Sequence, residues 1–148
     1  MSVLQPMHGY YLEDLSVGMS AVFGKTVTEA DIMAFAGVSG DTNPIHLHAD
    51  FAKASRFGER IAHGMLSASF ISTVVGTKLP GPGSIYVSQS LNFKAPVKIG
   101  DTVTARCEIV EIVPERKRIK LKTECLCGDK VVLDGEAVIL VPTRPKAI

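Results

Sequence analysis

Between Ser39 and His48 the chain reads Ser-Gly-Asp-Thr-Asn-Pro-Ile-His-Leu-His, placing a carboxylate (Asp41), an amide (Asn43) and an imidazole (His46) close together. Gly40 permits dihedrals closed to other residues, and Asp41 and Asn43 can each accept a bond from the backbone two residues on. Pro44 fixes its own φ and pushes Asn43 out of the helical region. A rigid, non-helical turn is expected. A carboxylate and an imidazole held on such a turn can share one water molecule. The imidazole, with an unperturbed pKa near ~6.5, suits the base role, and the carboxylate can exchange a second proton. The same residues also make an ordinary Asx turn between two helices, and this stretch alone leaves both readings open.

The elements around the turn follow from capping and periodicity. Ser20 to Thr28 is rich in β-branched and aromatic residues and reads as a strand. Thr28 then caps a helix whose first turn carries Glu29 and Asp31 at the positive end of its dipole. Ile32, Phe35 and Ala36 share one face, and the helix is expected to end near Gly37. After the turn, Asp50 to Ser55 reads as a short helix with Phe51 and Ala54 facing inward. Met65 to about Lys78 carries Leu66, Phe70, Ile71, Val74 and Val75 with only Ser and Thr between the apolar positions. It is apolar almost all round, so it is expected to be buried with protein on most sides. Pro80-Gly81-Pro82-Gly83 ends it.

Strands fill the rest. Ser84 to Lys94 is one, Thr102 to Val113 another with a bulge near Ile109 and Val110. Arg118 to Cys127 alternates, with Ile119, Leu121, Thr123 and Cys125 on one face; Val131 to Val141 is the last. Helices followed by long antiparallel strands make an α+β pattern, and the sheet is expected to curl around the long helix. No linker or repeat divides the 148 residues, so residues 1-148 are expected to form one domain.

A formal net charge of +1 gives no electrostatic case for nucleic acid or an acidic membrane surface. No apolar run reaches the roughly 18 to 20 residues that span a bilayer. Met1 to Met7 has no basic and then apolar pattern, so no secretory signal is expected. Cys107, Cys125 and Cys127 read as reduced core residues of a cytoplasmic protein. Cys125-x-Cys127 has the wrong spacing for a zinc knuckle, and His48 next to His46 finds no third ligand, so no metal is expected. His8 reads as a surface residue in a weakly ordered start.

Phe35-Ala-Gly-Val-Ser-Gly-Asp41-Thr-Asn43-Pro-Ile-His46, Ala62-His-Gly64-Met-Leu66 and Gly83-Ser-Ile-Tyr86 followed by Gln89-Ser-Leu-Asn-Phe93 together resemble the MaoC-like, R-specific enoyl-CoA hydratases (hydratase 2). The resemblance covers the whole chain and is closest to the short polyester-linked bacterial R-hydratases. It implies a hot-dog fold: a long central apolar helix wrapped by a curved antiparallel sheet, with a helical overhang carrying the active-site turn. It also implies a homodimer whose sheets join edge to edge, and reversible syn-addition of water to a trans-2-enoyl-CoA to give the (R)-3-hydroxyacyl-CoA. Coenzyme A is then part of the substrate, and no other cofactor is implied. Carried over by position, Asp41 and His46 are the catalytic pair and Asn43 fixes them. The Gly64 backbone N–H receives the thioester oxygen, and the Ser72 hydroxyl supports Asp41.

The chemistry asks for such parts, because water adding at C3 drives charge onto the thioester oxygen, and a donor at a helix start meets that charge. His63 reads first as a helix-start group, with contact to ligand as the alternative. For the nucleotide phosphates, Arg56, Arg60, Lys78, Lys94 and Lys98 are scattered candidates and none is singled out. Within the same fold, a dehydratase of 3-hydroxyacyl groups on acyl-carrier protein would use the same pair in reverse. A hot-dog thioesterase would need an acid or Asn on the central helix, which is absent here. A non-catalytic acyl-CoA-binding subunit would be expected to lack one member of the pair.

Overall fold

In the computed structural model, which describes residues 3–146, the chain forms β1 (Ser20–Thr26), α1 (Glu29–Ser39), α2 (Pro44–Leu47), α3 (Ala49–Lys53), α4 (Gly64–Thr77), β2 (Ile85–Gln89), β3 (Asn92–Phe93), β4 (Thr102–Val113), β5 (Arg118–Cys127) and β6 (Lys130–Leu140). The outermost residues of the expected 1–148 domain, and the start of the Met1–Met7 stretch, lie outside the described residues. The strands make a six-stranded antiparallel sheet in the order β1-β4-β5-β6-β2, with β3 also on β6. α4 packs across β4, β1 and β5.

The alternation of β5 produces the core. Ile119, Leu121, Thr123 and Cys125 are all buried, and they pair across to Ile139, Ala137, Gly135 and Leu133 of β6. On the other side Ile109 and Ala105 of β4 meet Leu121 and Cys125. Against this surface α4 sets Leu66, Phe70, Ile71, Val74 and Val75, each worth about 1.5–3 kcal/mol when fully buried. The expected slip in β4 is a register shift between Ile109 and Glu111.

α4 is not enclosed on every side. Met65, Ser69, Ser72 and Gly76 are exposed, and their spacing of four, three and four residues makes one outward stripe. The strand expected over Ser84–Lys94 is split into β2 and β3. Ser90 rides so close over Gly135 that a Cβ there would collide with its carbonyl. Ser90 Oγ then accepts the Glu136 N–H (3.0 Å) in place of a backbone acceptor. β2 is left as a sheet edge with Ile85, Tyr86 and Val87 exposed.

Three local expectations are corrected. α1 runs past Gly37 to Ser39, because Gly40 at φ +78° supplies the left-handed residue and its N–H reaches the Ala36 carbonyl. α3 turns Ala52 inward and leaves Phe51 and Ala54 exposed. The N-terminal segment is tied down: Gly9 and Tyr10 donate to the Pro82 and Pro80 carbonyls, and His8 is half-buried, stacked on Tyr11 at 4.0 Å. Among the described residues no helix is long and apolar enough to cross a membrane.

Candidate active site

The turn between α1 and α2 is held by its own side chains. Ser39 Oγ donates to the Phe35 carbonyl (2.6 Å) and accepts the Asp41 N–H (3.1 Å), so α1 hands its last turn directly to Asp41. Asp41 Oδ1 accepts the Asn43 N–H (3.2 Å), and Asn43 Oδ1 accepts the Ile45 N–H (3.1 Å) as the N-cap of α2. Asn43 thus fixes Asp41 through its backbone and His46 through a cap; its side-chain amide is hydrogen-bonded to neither of them.

α2 carries His46 inward until it is 8 % exposed. Its Nδ1 lies 2.8 Å from the Ile61 carbonyl oxygen. A carbonyl only accepts, so Nδ1 carries the proton and Nε2 of the neutral ring is a bare lone pair. That Nε2 is 4.0 Å from Asp41 Oδ2. The gap is too long for a direct hydrogen bond, but one water at about 2.8 Å from each atom closes a triangle on it. Burial, aided by the neighbouring His63, holds the His46 pKa below its ordinary value against the opposing pull of the Ile61 carbonyl and Asp41. The ring is therefore neutral and ready to accept a proton at pH 7. From behind, Arg60 Nε donates to the His46 carbonyl while its guanidinium holds Glu29 of α1 at 2.9 and 3.0 Å. Arg60 is structural here and is withdrawn from the phosphate candidates.

His63 proves central. Its Nε2 donates to the Asp41 carbonyl (2.9 Å), its ring stacks on His46 (centroids 3.9 Å, 30° between planes), and Phe35 packs on its other side at 4.8 Å. The sequence offers it as a helix-start group or a ligand contact, and its bond to the turn is not legible there. The available signal was its place beside Gly64 at the helix end where the turn must dock. Asp41, His46 and His63 offer metal-ligand atoms within 4.8 Å of one another, a trio that comparing His46 with His48 does not reveal. The geometry suits water better than an ion. Stacked rings aim their in-plane lone pairs side by side instead of at one point, and one nitrogen of each ring is committed to a carbonyl. His48 instead caps α3, its Nδ1 accepting the Phe51 N–H (3.0 Å).

Gly64 opens α4. As the first helical residue it has no intrahelical acceptor for its N–H. A Cβ there would sit 2.7 Å from the Phe93 ring, so only glycine leaves that N–H approachable with Phe93 in place. Beside it is a cavity of about 500 Å³ lined by Asp41, His63, Gly64, Ser67, Val132 and Leu133 among others, with exposed Arg56 and Lys94 at its rim. His46, stacked on His63 and next to Asp41, adjoins this lining without being part of it. Ser72 is exposed, off the cavity, and makes no side-chain hydrogen bond to Asp41 or any other described residue. Eight residues amount to 2.2 turns, and the excess swings Ser72 away from the Gly64 side.

Asn43→Ala is expected to lower stability by about 1 kcal/mol through the lost cap. It should also lower kcat more than it raises KM, because His46 loses its anchor. Denaturant melts and steady-state kinetics on Asn43→Ala and on Asn43→Ser, which keeps a capping oxygen, check this; the serine variant should recover most of both losses.

A curved antiparallel sheet wrapped around one long helix, with the polar cluster at the N-terminus of that helix, is a hot-dog fold. Solved structures agree: the unliganded R-hydratase PhaJ1 from Pseudomonas aeruginosa superposes with a TM-score of 0.87 at 40% identity, covering 96% of this chain and 98% of that one. The family model described as MaoC like domain matches residues 16–127, and the chain belongs to that family. Among curated relatives, the (R)-specific enoyl-CoA hydratase of Rhodospirillum rubrum is 56% identical over 135 residues, 91% of this chain and 94% of its own length. The 3-hydroxybutyryl-CoA dehydratase of Methylorubrum extorquens is 49% identical over 145 residues, 98% of this chain and 92% of its own.

Proposed function

We propose that the chain is an (R)-specific enoyl-CoA hydratase, a hydro-lyase that adds water reversibly to a trans-2-enoyl-CoA to give the (R)-3-hydroxyacyl-CoA. The observation that carries this reading is the 4.0 Å gap between His46 Nε2 and Asp41 Oδ2, with the His46 tautomer set by the Ile61 carbonyl. A water seated there presents its oxygen to C3. As the O–C3 bond forms, the π electrons move through C2 onto the thioester oxygen, and the Gly64 N–H at the positive end of α4 stabilises that charge. The water gives a proton to the pair and C2 takes one from it, so the pair ends as it began. One water serving both carbons from one face makes the addition syn. Ser72 stays outside the set acting within one protomer.

The substrate's nucleotide would approach the cavity rim. Lys94 is paired with Asp134 (2.9 Å) and Lys98 with Glu59 (3.6 Å), and Lys78 lies off the cavity. Arg56 lines the cavity with no carboxylate partner among the described residues and only the Phe57 ring at 5.3 Å. Arg56→Ala is expected to raise KM for the CoA substrate about tenfold and change kcat less than twofold, as for an exposed charge meeting phosphate. Equal KM in both proteins would remove Arg56 from the site.

A homodimer joined through β2 suits the exposed Ile85, Tyr86 and Val87 of that edge strand. Three unpaired cysteines suit a cytoplasmic location. The reaction is tested with crotonyl-CoA, following loss of the conjugated-thioester absorbance and resolving the product's stereochemistry. Formation of the (R)-3-hydroxy product is expected. Release of free coenzyme A would point to a thioesterase, and no change at all would point to a carrier-bound substrate.

A further inference from the structure

Three buried side-chain polar atoms among the described residues lack a hydrogen-bond partner: His63 Nδ1, Ser67 Oγ and Arg118 Nη1. The first two line the same cavity, and both residues are 1 % exposed. His63 is the N-cap of α4 and Ser67 lies in its first turn, so both belong to the start of that helix.

Neither atom has a ready outlet. His63 Nε2 carries the ring proton to the Asp41 carbonyl, which leaves Nδ1 as a lone pair needing a donor. While Ser72 is exposed to solvent, three other hydroxyls on α4 bond back to their own helix, Ser69 to the Leu66 carbonyl, Thr73 to that of Ser69 and Thr77 to that of Thr73. Ser67 does not, and its own carbonyl accepts the Cys125 thiol. With them the lining includes the buried apolar Val97, Val132 and Leu133, while its charged members Asp41, Arg56 and Lys94 are exposed. Two buried, unpartnered polar atoms in the wall of one cavity call for a small polar guest, because leaving them bare forfeits the hydrogen bonds that both make in water. A water molecule meets both needs, donating to Nδ1 and bonding the hydroxyl.

We infer that His63 Nδ1 and Ser67 Oγ hold a water molecule at the floor of the cavity, and that Ser67 is thereby a specificity-determining residue that restricts the site to short acyl chains. The inference rests on reading the cavity as the acyl site. Chemistry takes place at the Gly64 end of α4, and Ser67 lies one turn further in. A four-carbon chain ends before the water. Each added methylene must displace it and lie against two unsatisfied polar atoms, which offsets the usual hydrophobic gain from a longer chain.

The test compares trans-2-butenoyl-, hexenoyl- and octenoyl-CoA on the wild-type protein, Ser67→Ala and Ser67→Cys. The cysteine keeps the volume near that of serine and guards against a packing artefact. In both variants the ratio of kcat/KM for hexenoyl- to butenoyl-CoA should rise about tenfold, the scale at which a pocket discriminates one or two methylenes. Circular dichroism confirms that each variant folds. Titration calorimetry with the saturated butyryl- and octanoyl-CoA reads the same preference without turnover, and the ratio of their Kd values should shift in the same direction. Wild-type turnover with ratios unchanged in both variants would overturn the inference and leave the hydratase reading intact. No wild-type turnover, with a calorimetric shift still present, would keep the subsite and overturn the hydratase reading. No wild-type turnover and no calorimetric shift would overturn both.

Discussion

Asp41→Asn is expected to fold as the wild type does and to hydrate crotonyl-CoA on the order of 10³–10⁴-fold more slowly, the upper range for a positioned proton-transfer group. The amide keeps the carboxylate's shape, and its oxygen can still accept the Asn43 N–H that Asp41 Oδ1 accepts at 3.2 Å. What changes is the atom facing His46. Oδ2, a proton acceptor 4.0 Å from Nε2, becomes an NH₂ that only donates. A water between the two groups then loses one acceptor and turns its lone pair toward the amide, away from C3. Stability should barely move, within about 1 kcal/mol, because the Asp41 side chain is half exposed and its approach to His46 is too long to contribute much. Thermal melts beside single-turnover kinetics separate the two effects. Near-normal turnover in a well-folded Asp41→Asn protein would remove Asp41 from the catalytic role.

Much of this arrangement can be read from local pattern. The Thr28 cap is a reciprocal capping box with Asp31, the Asx geometry of Asp41 and Asn43 is present, and the alternation of β5 gives its buried face residue by residue. Such features depend on neighbours a few positions away, which a sequence displays. What eludes the sequence depends on contacts across the fold. The break in the β2–β3 strand follows from Ser90 meeting Gly135, forty-five residues on. Phe51 looks inward by composition, but α3 is short and presents Ala52 to the core. Ser72 takes its implied role from the resemblance alone, and the helical step of 100° sets it on the exposed stripe of α4. His63 looks like an ordinary helix-start residue and Ser67 like an ordinary member of α4 until the turn from α1 docks on the helix start.

His46 carries the other large effect, and its sign can be worked out. The ring faces His63 from the start of α4, Asp41 from the turn and the Ile61 carbonyl from the loop before α4, while Arg60 touches only its carbonyl. Burial is the largest influence and lowers its pKa below the ordinary ~6.5. A base acts when unprotonated, so kcat/KM should hold level from pH 8 down through ~6.5 and fall tenfold per pH unit only below that. Folding follows the same direction. Between the lowered native value and the unfolded ~6.5 the unfolded chain binds the extra proton, so the stability His46 contributes is whole above ~6.5 and is lost as the pH falls through the native value. His46→Gln should remove the acid limb together with activity on the order of 10²–10⁴-fold, and should flatten the acid side of a denaturant-stability profile. An acid limb centred above pH 6.5 in the wild type would mean a protonation equilibrium opposite to that of a buried neutral imidazole. It would assign the first proton transfer to a group other than His46.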